Sequence, residues 1–209
     1  MQSRSKNILI TALLGAAWIA AIAFGSRVML QYESTPGPVG VVAPSWPSAS
    51  KIHRAAGQPT LVMLAHPRCP CTRASVGELA QIMAESQGKL SAYVLFMKPS
   101  GSDADWDQSD LCRNAAQIPG VTVVSDADGN EARRFGAETS GHTFLFGADG
   151  RLLFSGGITA SRGHAGGNAG ESAILAAISD ASLKPARTVV FGCALSRQPA
   201  KGDPAVCLN

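Results

Sequence analysis

Apolar runs of strand length alternate with segments of helical periodicity, and this alternation limits the fold more than any other feature of the chain. Thr60–Ala65 is a short apolar run typical of a buried strand, and Thr72–Gln87 places its apolar residues at helical spacing. Crossover helices produce parallel strand pairs, whereas Gly147–Gly150 has the chemistry of a hairpin turn between antiparallel strands. The sequence therefore predicts an α/β fold with a mixed central sheet and helices on both faces. The other predicted elements are strands at Leu90–Met97, Val121–Val124, Thr143–Phe146 and Arg151–Phe154, and helices at Asp105–Gln117, Asp126–Phe135 and Glu171–Ala181.

The N-terminal segment indicates a membrane. Ile8–Gly25 contains no charged residue and follows Arg4 and Lys6. Its length is just enough to cross a bilayer, and the positive charge before it directs the rest of the chain outward. We therefore expect a single transmembrane helix, in contact with the lipid bilayer through residues 8–25, that holds the C-terminal domain on the periplasmic side of the cell membrane. A cleaved secretory signal is the alternative, because Ala21–Ala23 has the spacing of a cleavage site.

Changes in hydrophobicity and in proline and glycine content divide the chain into four predicted segments. A membrane anchor or signal segment at residues 1–30 precedes a Pro-rich spacer at 31–50, a folded domain at 51–185 and a cysteine-containing tail at 186–209. Eighteen Lys and Arg against fifteen Asp and Glu give a net charge of +3. No run of basic residues concentrates this small excess, so we expect no nucleic-acid partner.

Two cysteines separated by one proline lie at the predicted passage from a strand to a helix. Backbone N–H groups and the helix dipole at this point favour a thiolate over a thiol, and Arg73 would add to this effect. Cys69 and Cys71 are therefore predicted to be reactive. A bridge between them would close a smaller ring than a Cys-x-x-Cys bridge does, so strain would make it easier to reduce.

The motif and its flanks resemble the thioredoxin superfamily, in particular its membrane-anchored TlpA/ResA-like and RedB-like proteins. The resemblance covers residues 51–181 and is carried by Leu61–Leu79 and by Val121–Gly157. It implies a thioredoxin-like fold, with Cys69 as the attacking cysteine. Thr72 stands where the family has its resolving cysteine, so resolution by Cys71 is our inference from the shortened motif.

Three histidines and one threonine complete the candidate site. His142 stands where the family has a cis-proline before a threonine, and that departure reopens the possibility of metal binding. In a fold of this kind His66, His142 and His164 all come to one edge of the sheet, and we expect His142 to lie near Cys69. A change of histidine charge near neutral pH could then tune the thiolate. Thr72 is expected to hydrogen-bond this thiolate, and Arg73 to stabilise it.

The remaining cysteines are Cys112, Cys193 and Cys207. A disulfide between Cys193 and Cys207 would restrain the end of the chain. Cys193 follows the apolar run Thr188–Phe191, and its alternative role is that of a resolving or relay thiol for the Cys69 pair. Cys112 is expected to be a buried, inert thiol on a helix.

These features predict an extracytoplasmic thiol-disulfide oxidoreductase that uses Cys69, Cys71, Thr72, Arg73 and His142 and exchanges disulfides with protein partners. No organic cofactor is implied. A copper-binding metallochaperone that uses Cys69, Cys71 and His142 is the alternative, because thiolate and imidazole ligands suit Cu(I). A peroxidase is a weaker alternative, because His66 stands three residues before Cys69 where peroxiredoxins have Thr or Ser.

Overall fold

The chain divides into two compact units, one ending at Thr35 and the other beginning at Pro36. The computed structural model describes residues 2–195. The first unit is essentially helix α1, Gln2–Ser34, whose stretch Lys6–Ser34 is long and apolar enough to cross a membrane. Its large apolar side chains, among them Trp18, Ile19 and Phe24, are exposed. By length and composition, this helix fits either a membrane span or a signal sequence.

The second unit is built on one six-stranded sheet in the order β3-β2-β1-β4-β5-β6. β1 pairs parallel with β2 on one side and antiparallel with β4 on the other, so it lies near the middle of the sheet. β2 and β3 are parallel, β4 and β5 form the predicted hairpin, and β5 pairs parallel with the short β6. The strands are β1 Thr60–Ala65, β2 Ser91–Lys98, β3 Val121–Ala127, β4 His142–Phe146, β5 Leu152–Gly156 and β6 Ala186–Arg187.

Helices cover both faces of this sheet, as predicted. One face packs against α2, α3 and α5 through a large apolar cluster that includes Met63, Leu79 and Ile174. The other face packs against α4 through Phe135, Phe144 and other apolar side chains. The helices are α2 Pro70–Glu85, α3 Asp110–Ala116, α4 Asn130–Phe135 and α5 Ala169–Ser179.

Side-chain caps account for several helix starts. Ser109 accepts a hydrogen bond from the Cys112 amide, and α3 therefore begins at Asp110 and not at Asp105 as the sequence predicted. The carboxylate of Asp126 accepts hydrogen bonds from the first-turn amides of Glu131 and Ala132, so this residue caps α4 although the helix itself begins at Asn130.

The predicted segment boundaries differ from the structure at both ends of the domain. Residues 36–50 are not a free spacer, because the Gly37 amide donates to the Val190 carbonyl and the Trp46 amide donates to the Gly150 carbonyl. At the other end, Ala186–Arg187 forms β6 and extends the sheet, whereas residues 196–209 lie outside the described residues. Proline-rich composition gave no sign of these long-range hydrogen bonds.

Trp46 joins residues 36–50 to the core. Its ring meets Phe135 at 5.3 Å and Phe146 at 5.2 Å between centroids, both in edge-to-face geometry. Such pairs add to the stabilisation that comes from apolar burial alone.

We expect Trp46→Ala to lower the free energy of unfolding of the second unit by about 2–3 kcal/mol. This loss is smaller than that expected for a fully buried tryptophan, because Trp46 is only partly buried. Urea unfolding of the detergent-solubilised full chain, followed by circular dichroism, measures this change. Trp18→Ala, on the exposed helix α1, is the matched control and should leave the transition of the second unit unchanged. Equal effects of the two substitutions would contradict the packing role of Trp46.

Candidate active site

Cys69 is positioned by the junction between β1 and α2. It is the N-cap of α2 in extended backbone conformation, and Pro70 occupies the first turn, where its missing N–H leaves no hydrogen bond unmade. The Cys69 side chain is almost fully buried, and that of Cys71 is nearly so. The helix start therefore presents both thiols at the same end of the sheet, as the sequence predicted.

A third sulfur completes the cluster. The Sγ atoms of Cys69, Cys71 and Cys193 all lie within 4.8 Å of one another. The Sγ atoms of Cys69 and Cys193 are 2.9 Å apart. Cys69 and Cys71 are buried and Cys193 is partly exposed, so the three sulfurs form a three-thiol site in which Cys193 is the most exposed residue.

Backbone hydrogen bonds hold Cys193 in this site. Its carbonyl accepts a hydrogen bond of 2.7 Å from the Ser140 amide, and the Leu195 amide donates to the Glu138 carbonyl at 2.8 Å. Thr139 and Ala194 form an antiparallel bridge between these bonds. Residues 193–195 thus pair with the segment just before β4. Cys207, its predicted disulfide partner, lies outside the described residues, so that pairing stays a prediction.

The surroundings of Cys69 and Cys71 shift the pKa values of these two thiols in opposite directions. Hydrogen bonds from Cys193, Cys71 and Thr72 lower the pKa of Cys69 far below the ordinary value, despite its burial. Cys193 also favours the Cys71 thiolate, but the contact with Cys69 and burial together raise the pKa of Cys71. Cys69 is therefore the thiolate of the cluster and Cys71 a thiol at neutral pH.

Thr72 lies beside the cysteines, as predicted, and belongs to a buried polar chain. Its hydroxyl shares a hydrogen bond of 2.6 Å with the Ser140 hydroxyl, which also accepts from the His66 amide at 2.8 Å. Ser140 thus ties the start of α2, the end of β1 and the segment before β4 to each other. Sequence reasoning missed Ser140, because no local sequence pattern marks a serine whose hydrogen bonds connect segments that are distant in the chain.

Both arginines of the motif make other contacts. Arg73 forms an exposed ion pair with Asp110 at 2.7 Å, and the Arg68 guanidinium lies 4.1 Å from the centroid of the Trp106 ring. Neither is among the largest influences on the pKa of Cys69. Arg73, which was predicted to stabilise the Cys69 thiolate, is therefore paired with the Asp110 carboxylate instead.

His142 is fully buried and makes its contacts away from the thiols. Its Nε2 shares a hydrogen bond of 2.9 Å with the Ser155 hydroxyl, and its ring stacks on Phe144 at 4.1 Å between centroids. Burial lowers its pKa to about 4. His142 is therefore neutral at pH 7, and it cannot tune a thiolate by changing charge near neutral pH, which differs from the expectation from the sequence.

The glycine-rich loop before α5 lies at the rim of the cluster. Arg162 donates a hydrogen bond to the carbonyl of Gly192, the neighbour of Cys193, and its charge favours the Cys71 thiolate. His164 is exposed, and its ring contacts the Arg162 carbonyl. The buried carboxylate of Glu78 holds this loop by accepting from the Gly166 amide at 2.7 Å and from the Asn168 side chain at 3.1 Å.

Cys112 lies apart from this cluster. It is buried on α3, accepts a hydrogen bond from the Ser109 hydroxyl at 3.2 Å, and has a pKa raised by burial. These features agree with the inert thiol expected from the sequence.

The sheet order and the position of the cysteines define the fold class. A cysteine-bearing helix follows the central strand β1, a β4–β5 hairpin pairs beside that strand, and helices cover both faces. This is a thioredoxin-like fold, so the fold class predicted from the sequence is confirmed.

Two solved structures share this fold at low sequence identity, and a third is similar over a smaller part of the chain. An uncharacterised conserved protein from Geobacillus kaustophilus is 17% identical, with a TM-score of 0.57, over 80% of this chain and 96% of its own. A hypothetical protein from Sinorhizobium meliloti is 18% identical, with a TM-score of 0.56, over 80% of this chain and 99% of its own. A secreted disulfide oxidoreductase from Mycobacterium tuberculosis is 17% identical, with a TM-score of 0.41, over 59% of this chain and 82% of its own. No protein-family model matches the sequence, and no curated protein matches it significantly. At these identities the similarity concerns the fold alone.

The buried His142 makes stability depend on acidity. The unfolded chain binds a proton on this residue near its ordinary pKa of 6.5, whereas the folded chain binds it only near 4. Protonation between these values favours the unfolded state, so stability is lost as pH falls from about 6.5 to 4, by up to about 3 kcal/mol from this residue.

We expect His142→Gln to reduce this acid-induced loss of stability, because glutamine carries no proton in either state. Urea unfolding of the full chain at a series of pH values gives the slope of the unfolding free energy. His53→Gln, at an exposed position, serves as the control and should retain the wild-type slope. An unchanged slope in His142→Gln would show that His142 is not the group responsible.

Proposed function

We propose that the protein is a thiol-disulfide oxidoreductase in which Cys69 attacks the disulfides of partner proteins. The observation that carries this proposal is the three-thiol cluster at the start of α2, with Cys69 in contact with other sulfurs and its pKa lowered. A thiolate is the attacking species in disulfide exchange, and a neighbouring thiol is needed to release the mixed disulfide. The cluster supplies both.

The reaction consists of two exchange steps. The Cys69 thiolate attacks one sulfur of a partner disulfide, forms a mixed disulfide and releases the partner's other sulfur as a thiolate. A second thiol of the site, for which the Cys69-Pro70-Cys71 motif offers Cys71, then loses its proton and attacks Cys69. The partner leaves as a dithiol and this chain gains one disulfide, so two electrons have moved. The same steps in reverse would oxidise a partner, and no organic cofactor is required.

The polar surroundings support the same chemistry. Thr72 stabilises the Cys69 thiolate by a hydrogen bond, and Ser140 fixes the Thr72 hydroxyl. Arg162 contributes positive charge at the rim. Arg73 and His142 were candidates from the sequence, but their contacts with Asp110 and Ser155 favour surface and core roles.

The proposed location is outside the cytoplasmic membrane. Helix α1 is long and apolar enough to act as an anchor, and the positive residues Arg4 and Lys6 before its apolar part favour a periplasmic location for the rest of the chain. Disulfide exchange with protein partners suits that compartment, because disulfides persist there. A cleaved signal would leave the same domain secreted.

We expect Cys69→Ser to abolish reduction of a protein disulfide, with a loss of at least about a thousandfold, because serine cannot form the mixed disulfide. The assay is reduction of insulin disulfides by the reduced, detergent-solubilised chain with glutathione as the reductant. Redox titration with thiol trapping and mass spectrometry should show a two-electron couple on the wild type.

Cys112→Ser is the matched control, because Cys112 lies apart from the cluster and its thiol is buried. It should retain the wild-type rate and couple. Thiols that stay reduced throughout the titration of the wild-type chain, or a Cys69→Ser variant as active as the wild type, would overturn the proposed function.

Copper delivery is a second candidate, and the convergence of three sulfurs favours it. Three cysteine sulfurs within 4.8 Å of one another, which would lose their protons on metal binding, form a soft ligand set that suits Cu(I) carried as cargo. This set is Cys69, Cys71 and Cys193, whereas the sequence predicted His142 as the third ligand. His142 shares its Nε2 hydrogen bond with Ser155, so Cys193 is the better candidate.

If the chain carries copper, one Cu(I) per chain should survive desalting, and Cys193→Ser should lose it as Cys69→Ser does, since each removes one ligand. Metal analysis after anaerobic loading measures this stoichiometry, and Cys112→Ser is again the control. Absence of retained copper in the wild type would remove this candidate and leave the oxidoreductase proposal intact.

A further inference from the structure

We propose that Cys193, and not Cys71, is the resolving residue for Cys69, so that the oxidised protein carries a Cys69–Cys193 disulfide. This inference rests on the proposed function and adds the identity of the second sulfur. It assigns a redox role to a residue from the C-terminal segment, far from the Cys-Pro-Cys motif in sequence.

The first argument is distance. The Sγ atoms of Cys69 and Cys193 are 2.9 Å apart. A disulfide needs about 2.05 Å between its sulfurs, so a small side-chain movement is enough to form the bond.

The second argument is that the backbone already holds Cys193 at this distance. Hydrogen bonds from Ser140 to Cys193 and from Leu195 to Glu138 place the thiol on an ordered segment. The neighbouring Phe191 is buried, and Arg162 donates to the Gly192 carbonyl. A positioned thiol loses little conformational freedom when it attacks, which favours it over a thiol that must first be ordered.

The third argument concerns Cys71. Only Pro70 separates Cys69 from Cys71, so a bond between them would close a small, strained ring at the start of α2, where the fixed proline φ limits the backbone. Cys193 comes from a distant segment, so its bond with Cys69 closes no such small ring.

The proposed resolving step balances. After Cys69 has formed a mixed disulfide with the partner, the Cys193 thiol gives up its proton and its sulfur attacks Cys69 Sγ. The Cys69–Cys193 bond forms, the bond between Cys69 and the partner breaks, and the partner's sulfur leaves as a thiolate that takes up a proton. The partner is reduced by two electrons and this chain is oxidised by two. An external dithiol then restores the reduced form by the same exchange.

Disulfide mapping of the oxidised full chain tests the inference directly. The chain is oxidised with glutathione disulfide in detergent, its free thiols are blocked, and it is digested with trypsin. Cleavage after Arg68 and Arg73 leaves Cys69 and Cys71 on one peptide, while Cys193 and Cys207 fall on two others. We expect the main cross-linked species to join the Cys69 peptide to the Cys193 peptide, and fragmentation together with Cys71→Ser assigns the bond to Cys69.

Two variants separate the sulfur from its placement. Cys193→Ser should leave only the strained Cys69–Cys71 bond and lower the equilibrium constant for oxidation at least tenfold, a rise in potential of about 30 mV. Gly192→Ala keeps every thiol, but its Cβ would clash with the Ser140 carbonyl and displace Cys193, so resolution should slow. Gly167→Ala, where a Cβ meets nothing within 4 Å, is the matched control and should behave as the wild type.

Each result distinguishes this inference from the proposed function. A main bond between Cys69 and Cys71, or between Cys193 and Cys207, would overturn the inference; if Cys69 still reduces insulin, the proposed function stands. The inference would also be overturned if the Cys71→Ser variant lost the two-electron couple while the Cys193→Ser variant retained it. A chain in which Cys69 forms no disulfide at all would overturn both.

Discussion

The site depends on the burial of β1 in the middle of the sheet. Every residue of this strand is buried, and it is hydrogen-bonded to β2 on one side and to β4 on the other. Its end is therefore fixed, and the turn after it must deliver Cys69 to the first turn of α2. A strand at the edge of the sheet would not fix the position of the thiol in this way. The backbone amides at the start of the helix would then not be held close to the Cys69 sulfur.

A second set of long-range backbone hydrogen bonds completes the site. Residues 138–140 lie just before β4 and pair with residues 193–195, which brings Cys193 to Cys69. Ser140 takes part in both relationships, because its amide holds Cys193 while its hydroxyl bonds to Thr72. The proposed redox chemistry and the pairing of residues 193–195 with residues 138–140 are thus parts of one arrangement. This coupling explains why the proposed resolving thiol can come from so far along the chain.

The parts of the fold that could be predicted are those with local causes. β1 was predicted at its observed bounds, and the hairpin between β4 and β5 followed from its turn residues, because strand length and turn chemistry are written in consecutive residues. The predicted start of α3 was wrong, because one N-cap residue, Ser109, determines where this helix begins. The two-residue β6 and the packing of residues 36–50 carry no periodicity, so nothing local could reveal them.

The sequence by itself determined the layered α/β architecture, the apolar N-terminal helix and the placement of Cys69 and Cys71 at a strand-to-helix junction, because each follows from neighbouring residues. Only the tertiary structure decided which third group meets these thiols. It placed Cys193 there, turned His142 toward Ser155 and paired Arg73 with Asp110. The physical reason is that contacts between separate segments, from 13 residues apart for His142 and Ser155 to 124 for Cys69 and Cys193, choose among candidates that the local sequence leaves equivalent.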